Sequence, residues 1–312
     1  MQNFLQFLIK NQHLRDRSPD KGSDGFTMIE LLVGAIMAFL IITPLLGFVV
    51  SILNDDRREE IKANAEYELQ AAVDFISEDL SQAFYIYDKE DGDEKEDKRV
   101  DEGVGPLPDR GTPILVFWKR HRLPDSYPPI SNNGEPSINP IDCESEEDDC
   151  DDTYVNALVA YYLIDGDRDR TWCQPYGNGD NCPKRIVRYL IYDGLKNRYG
   201  LDYQDGQLKD TQQREDGYNQ NFDLSLLLKK DDPLAEEQAK KNVTTGEFPA
   251  PQVLVNYIDE FTLDEVGNHQ VVKFTIRSNA LRRIDAFVDE CPDEETSFCP
   301  KASVRVEGLE IR

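Results

Sequence analysis

Residues 26–53, "FTMIELLVGAIMAFLIITPLLGFVVSIL", form an apolar run whose single charge is Glu30. Coiled as a helix at ~1.5 Å per residue, the run measures about 42 Å, more than the ~30 Å hydrocarbon core of a bilayer requires. A secretory signal peptide is a poor fit, because its apolar part is shorter and ends at the cleavage site. The helical pattern also continues past Leu53. The next stretch, "NDDRREEIKANAEYELQAAVDFISEDLSQAFYIYD", holds no Gly or Pro, and Ile61, Ala65, Leu69, Ala72, Ile76, Leu80 and Ala83 recur at steps of three and four. The expectation is one helix from 26 to about 86, apolar all round in its first half and striped in its second. Pro44 is expected to kink or open the first half, since it lacks an N–H and crowds the preceding turn. A striped helix needs a surface to lie against.

The rest of the chain supplies one. After Tyr87 a charge run, "DKEDGDEKEDKRVDEG", has no core-forming residues and reads as a solvated loop. Beyond it come short β-like runs at 113–119, 155–164, 185–193, 252–265, 270–278 and 302–310, separated by Pro-, Gly-, Asn- and Asp-rich breaks. Val271–Arg277 and Ser303–Leu309 alternate apolar and polar, as half-buried antiparallel strands do. Residues 195–250 are polar, with a short helix expected near 233–241. The fold class read from this order is α+β: a long N-terminal helix packed on an antiparallel β-sheet.

Charge and cysteine usage narrow the function classes. Asp+Glu number 61 against Lys+Arg 35, a net charge of −26, so nucleic acid and anionic lipid would be repelled by the bulk surface. With only His13, His121 and His269 there is little material for zinc sites or His-based catalysis. The six cysteines fall as close pairs: Cys143 and Cys150, Cys173 and Cys182, Cys291 and Cys299. None has CxxC spacing, so three local disulfides are expected, which places the region after Leu53 in an oxidising compartment. The basic residues Lys10, Arg15, Arg17 and Lys21 before the apolar run favour a cytoplasmic N-terminus.

Gly25-Phe26-Thr27-Met28-Ile29-Glu30-Leu31-Leu32 closely resembles the N-terminal signature of type IV pilins and type II secretion pseudopilins. The resemblance implies a cytoplasmic prepilin leader (1–25), a transmembrane half-helix (26–53), an amphipathic half (54–87) and a pilin-like extracytoplasmic sheet domain (88–312). It implies cleavage by a prepilin peptidase between Gly25 and Phe26, N-methylation of Phe26, and filament assembly through Glu30. One departure is Asp24, where the family often carries Lys or Arg before the glycine. The physics agrees with the carry-over: a carboxylate in hydrocarbon costs a few kcal/mol unless paired, and an α-amino cation on a neighbouring subunit is a suitable partner. The implied partners are other major and minor pseudopilins and an inner-membrane assembly platform.

Further stretches, "LLVGAIMAFLIITPLLGFVVSILNDDRREE", "ELQAAVDFISEDLSQAFYIYD", "LVFWKR" and "LVAYYLI", look like the hormogonium polysaccharide secretion pseudopilins of filamentous cyanobacteria. That likeness is densest over 25–87 and implies a role in polysaccharide secretion and gliding motility. The alternatives are a membrane-anchored extracytoplasmic binding module or adhesin, or a minor pilin for twitching or DNA uptake. No resident cofactor is expected, although the acidic runs 88–102 and 144–152 and the loop Asp165–Asp169 are candidate Ca²⁺ ligands. Phe117, Trp118, Tyr161, Tyr162, Tyr189 and Tyr192 are candidate glycan platforms, weighed against their ordinary role as sheet core. With no phosphate-binding Gly-rich loop, no GxSxG and no HExxH, the chain is not expected to be an enzyme.

Overall fold

The computed structural model describes residues 27–87, 111–127, 150–165, 171–173, 182–196, 213, 249–285, 288, 290–292 and 296–309. Helix α1 spans Met28–Ser81 and is followed by strands β1 (Ala83–Ile86), β2 (Thr112–Tyr127), β3 (Asp151–Ile164), β4 (Lys184–Tyr192), β5 (Gln252–Gly267) and β6 (Val271–Ser278). A single-turn helix, α2 (Leu281–Ile284), and strand β7 (Lys301–Glu307) complete the order. The chain divides into two units at Arg57/Arg58.

In the second unit the strands form one seven-stranded sheet in the order β1-β2-β3-β4-β5-β6-β7, every neighbour antiparallel. The expected α+β class is what the chain adopts. Alternation sorts the side chains between two faces. Leu115, Phe117, Val159, Tyr161, Ile186, Phe261, Phe274 and Ile276 pack with Leu69, Ala72, Val73, Ile76 and Leu80 of α1. Val116, Trp118, Leu158, Ala160, Tyr162, Val187, Tyr189 and Ile191 form a second cluster on the other face. Burial on both faces explains why β2–β4 read as near-continuous apolar runs, while β7 alternates strictly between exposed and half-buried.

The sheet curls until its ends meet. Ile86 N–H donates to the His269 carbonyl at the β5–β6 turn (2.8 Å), and Leu309 N–H, just past β7, donates to the Ala83 carbonyl (2.6 Å). Gly308 makes this approach possible, because a Cβ there would collide with the Ala83 carbonyl oxygen. The His269 ring stacks on Tyr85 at 4.7 Å and its Nδ1 lies 2.9 Å from the Ile86 carbonyl.

Three expectations are corrected. The helix ends at Ser81, five residues early, and Ala83–Ile86 is a strand. "AFYI" is aromatic and β-branched, and its ladder with β2 satisfies more backbone than another helical turn would. Ala83 is buried in the core as foreseen, but from β1. Pro44 does not open the helix, which runs as unbroken α-helix from Met28 to Ser81. Finally, β2 runs on to Tyr127 through "PDSY", bulging at Asp125 (φ 44°), whose N–H donates to the Asp152 carboxylate of β3 (3.1 Å). The helix expected near 233–241 lies outside the described residues.

Candidate functional site

The expected assembly residue stands in the first turn of α1, where orphan N–H groups await acceptors. Thr27 and Glu30 cap one another. Glu30 N–H donates to Thr27 Oγ1 (3.4 Å), while Thr27 N–H and Oγ1 both donate to Glu30 Oε2 (3.2 and 3.0 Å). This reciprocal arrangement is the capping box, and its signal, Thr-x-x-Glu, is legible in "TMIE" although the sequence reading did not use it. Only Oε2 is engaged; among the described residues Oε1 has no partner. The box therefore fixes the direction of the carboxyl and leaves one oxygen open to a donor from outside the chain. Gly25 and Phe26, the expected cleavage and methylation positions, lie outside the described residues.

From Met28 to Leu53 the helix presents apolar side chains on every side and none is buried by the chain: Phe39 is 69 % and Leu46 59 % exposed. A window of mean hydropathy 2.6 is long and apolar enough to cross a membrane. Thr43 Oγ1 donates to the Phe39 carbonyl (2.8 Å), which keeps that hydroxyl satisfied without water. The same helix assignment then continues into the second unit, where it supplies the core helix.

Three ties, each about three turns from the next along α1, hold this second half to the sheet. The Arg58 guanidinium lies 5.4 Å from the centre of the Phe298 ring. Glu68 pairs with Arg283 of α2, and that guanidinium also covers Tyr257 at 4.6 Å. Tyr257 has φ 61°, an outlier for a bulky residue, at the slip in the β4–β5 ladder. The third tie is the strongest charge cluster described. Asp79, 6 % exposed, accepts from Lys119 Nζ (2.6 Å), Arg188 Nε (2.6 Å) and Tyr161 Oη (2.6 Å). Burial pushes the Asp79 carboxyl up, but the Arg188 charge and hydrogen bonds from Arg188, Lys119 and Tyr161 outweigh it and hold the group below its ordinary value. The Tyr161 hydroxyl is pushed up by burial and by the Asp79 charge. His121, beside the cluster, is held below its ordinary value by burial, then by Lys119 and Arg188.

Nothing in the local sequence announces this cluster. Asp79 falls between Ile76 and Leu80 at the margin of the apolar stripe, and one Asp among acids at 78 and 79 looks solvated. Its partners sit on β2, β3 and β4, and no local pattern joins them. Chemically the cluster can lock a helix at one height and rotation on a sheet; its groups are too enclosed to meet a substrate.

Among the cysteines, Cys173–Cys182 and Cys291–Cys299 are disulfides, as expected. Cys150 is also disulfide-bonded, and Cys143 lies outside the described residues. Disulfides mark an oxidising compartment. The aromatic residues weighed as glycan platforms are core: Phe117, Trp118, Tyr161 and Tyr162 are fully buried, Tyr189 nearly so and Tyr192 partly. Trp118 Nε1 donates to Tyr87 Oη (2.9 Å), which spends its polar atom inside the protein. Of the acidic runs, 88–102 and 144–149 lie outside the described residues; Asp152 pairs with Arg122, and no group of three His, Cys, Asp or Glu converges among the described residues.

No protein-family model, curated protein or solved structure matches the chain. The fold must therefore speak through its own features: a membrane-capable helix, continuous with the core helix of an antiparallel sheet domain, with disulfides in the loops. The architecture is pilin-like. Within this pilin-like frame Glu30 occupies the helix start, the sheet covers only the second half of the helix, and the Asp79 cluster sets where that cover sits.

Proposed function

We propose that the chain is a minor pseudopilin, cut between Gly25 and Phe26 by a prepilin peptidase, N-methylated on Phe26, and incorporated through Glu30 into a short filament. The filament is rooted in the inner membrane, with the leader cytoplasmic and the sheet domain periplasmic. Its machine is of the type IV pilus and type II secretion kind, and its role is polysaccharide secretion and gliding motility. The observation that carries this reading is Glu30: the single acid of the apolar half of α1, with one carboxylate oxygen capped by Thr27 and the other without a partner among the described residues. In hydrocarbon such an oxygen seeks a cation, and the α-amino group released on a neighbouring subunit by cleavage at Phe26 provides one.

The disulfides support an extracytoplasmic domain, and the helix that runs from the apolar segment into the sheet domain supports a subunit that stays attached to its membrane segment. A cleavable secretory signal would be severed from the domain; here the apolar segment is half of its core helix. Mass spectrometry of the native N-terminus is the direct test, with methylated Phe26 as the expected first residue and a chain still starting at Met1 refuting maturation. Glu30→Gln keeps the capping geometry and removes the charge. It is expected to leave a membrane-inserted protein missing from sheared filaments, and normal incorporation would refute the pairing. A strain lacking the chain should lose polysaccharide export; loss of twitching alone would reassign the machine.

A further inference from the structure

Strand β7 ends the sheet, and between Lys301 and Glu307 no described strand pairs with its outer edge. Its ladder with β6 runs from Lys301 opposite Arg277 to Glu307 opposite Val271 with no register slip, unlike the β1–β2, β2–β3, β4–β5 and β5–β6 ladders. Among the described residues no backbone group bonds to its outer side between Lys301 and Glu307; beyond the strand, Gly308 N–H still donates to Gln270 on the β6 side, and only Leu309 N–H reaches Ala83 of β1. Ala302, Val304 and Val306 turn toward the core but remain half-buried, while Lys301, Ser303, Arg305 and Glu307 are exposed. A strand edge whose outward N–H and C=O groups have no partner among the described residues is a template for another strand.

The charges across this edge follow an order. Register places Glu260, Arg277 and Lys301 in one row across β5, β6 and β7, and Glu265, Lys273 and Arg305 in another. Each row reads acid, base, base. Like charges directly opposite on neighbouring strands are destabilising. The β6 cations are engaged: Arg277 lies 3.6 Å from Asp259 and donates to the Pro292 carbonyl (2.5 Å), and Lys273 lies 4.0 Å from Asp264. Lys301 and Arg305 have no hydrogen bond or ion pair among the described residues. Two cations on one face of one strand, without a partner among the described residues, run against the trend of a chain with net charge −26. Edge lysines commonly serve to discourage aggregation, but that role does not require placing them opposite two further cations. A carboxylate in the next position of each row would offset that repulsion.

We infer that β7 is a docking edge for an acidic, extended segment of a partner protein, which adds as an eighth strand. Lys301 and Arg305 are four residues apart on one face, so the segment carries carboxylates at positions one and five, a small polar residue opposite Ser303 between them, and apolar residues at positions two and four beside Ala302 and Val304. Main-chain bonds supply affinity and the two ion pairs supply register and selection. The inference does not depend on the proposed filament role.

The test uses the full chain in detergent micelles and a fluorescent peptide centred on Glu-Val-Thr-Val-Glu, followed by anisotropy. Saturable binding that weakens with added salt is expected, together with slowed hydrogen exchange of β7 amides and not of β1. The Lys301→Glu, Arg305→Glu double variant, altered only at exposed side chains, is expected to keep its melting temperature and to bind the peptide at least about tenfold more weakly. It should gain binding to a Lys-Val-Thr-Val-Lys peptide. The inference is overturned if no peptide binds, if the variant binds the acidic peptide equally, or if moving the two Glu to a spacing of three leaves affinity unchanged. Protection away from β7 overturns it as well. Self-association through β7 that the double variant abolishes would reassign the edge to a second copy of the chain and overturn the acidic-partner reading.

Discussion

Replacing Asp79 by Asn tests how much of the helix–sheet union rests on one charge. The substitution preserves shape, but Lys119, Arg188 and Tyr161 all donate to Asp79. Lysine and arginine have no acceptor to offer an amide NH₂ in return. Both cations are themselves nearly enclosed, with side chains 6 % and 9 % exposed, so water cannot take over the lost role. Removing one partner of a buried pair costs about 3–5 kcal/mol, chiefly because the other charge is left uncompensated. For a unit of this size each kcal/mol moves the melting temperature by about 2–4 °C, so Asp79→Asn should melt roughly 10 °C below the parent, beyond the reach of ordinary surface substitutions. Urea denaturation of the full chain in micelles, followed by near-ultraviolet circular dichroism of the buried Trp118 and Tyr161, gives the free energy directly. A loss below about 1 kcal/mol would refute the argument that the cluster is sealed from solvent. The control is the triple variant Asp79→Leu, Lys119→Met, Arg188→Met, which removes all the charges together and is expected to recover most of the loss. If the triple variant is as unstable as the single one, the cost lies in packing and not in unpaired charge.

Three further outcomes follow from other parts of the molecule. The Asp79 carboxyl is held below its ordinary value and so is His121, so both bind fewer protons folded than unfolded; stability should fall as pH drops through about 6.5, where unfolded His121 titrates. It should fall again below the carboxylate range, and His121→Gln should flatten only the upper slope of urea midpoint against pH. Gly308→Ala should destabilise by about 1–3 kcal/mol, because its methyl drives the end of β7 away from β1; an unchanged melting temperature would mean that the seam does not close. Removing Cys173–Cys182 or Cys291–Cys299 by paired Cys→Ala changes opens loops of sequence separation 9 and 8, worth about 2.5–3 kcal/mol each by chain entropy. Thermal melts of the two variants check this, and reductant treatment of the parent protein, which opens the Cys150 bridge as well, is expected to cost more than either variant.

Local chemistry settled much of this protein before any tertiary contact was considered. A run of 28 residues with one charge must find lipid or protein, and a Gly- and Pro-free stripe at steps of three and four must find a partner surface. The alternation in β6 and β7, the polar breaks and the paired cysteines likewise depend on neighbours close in sequence, which is why they were legible. The end of the helix was not. Ala83 through Ile86 has both the helical spacing and the β-prone side chains, and only the ladder offered by β2 decides between them. Pro44 likewise reads as a place where the helix kinks or opens, yet one missing bond does not open a helix whose other turns are intact. The Asp79 cluster joins α1 to β2, β3 and β4 across up to 109 residues, and Lys119 reads as surface until the curl of the sheet encloses it. Charge rows on β5–β7 exist only once register is set. Periodicity determines which face of an element is apolar; which distant residue lies opposite, and whether water is excluded there, is decided by the packing of the whole sheet around the helix.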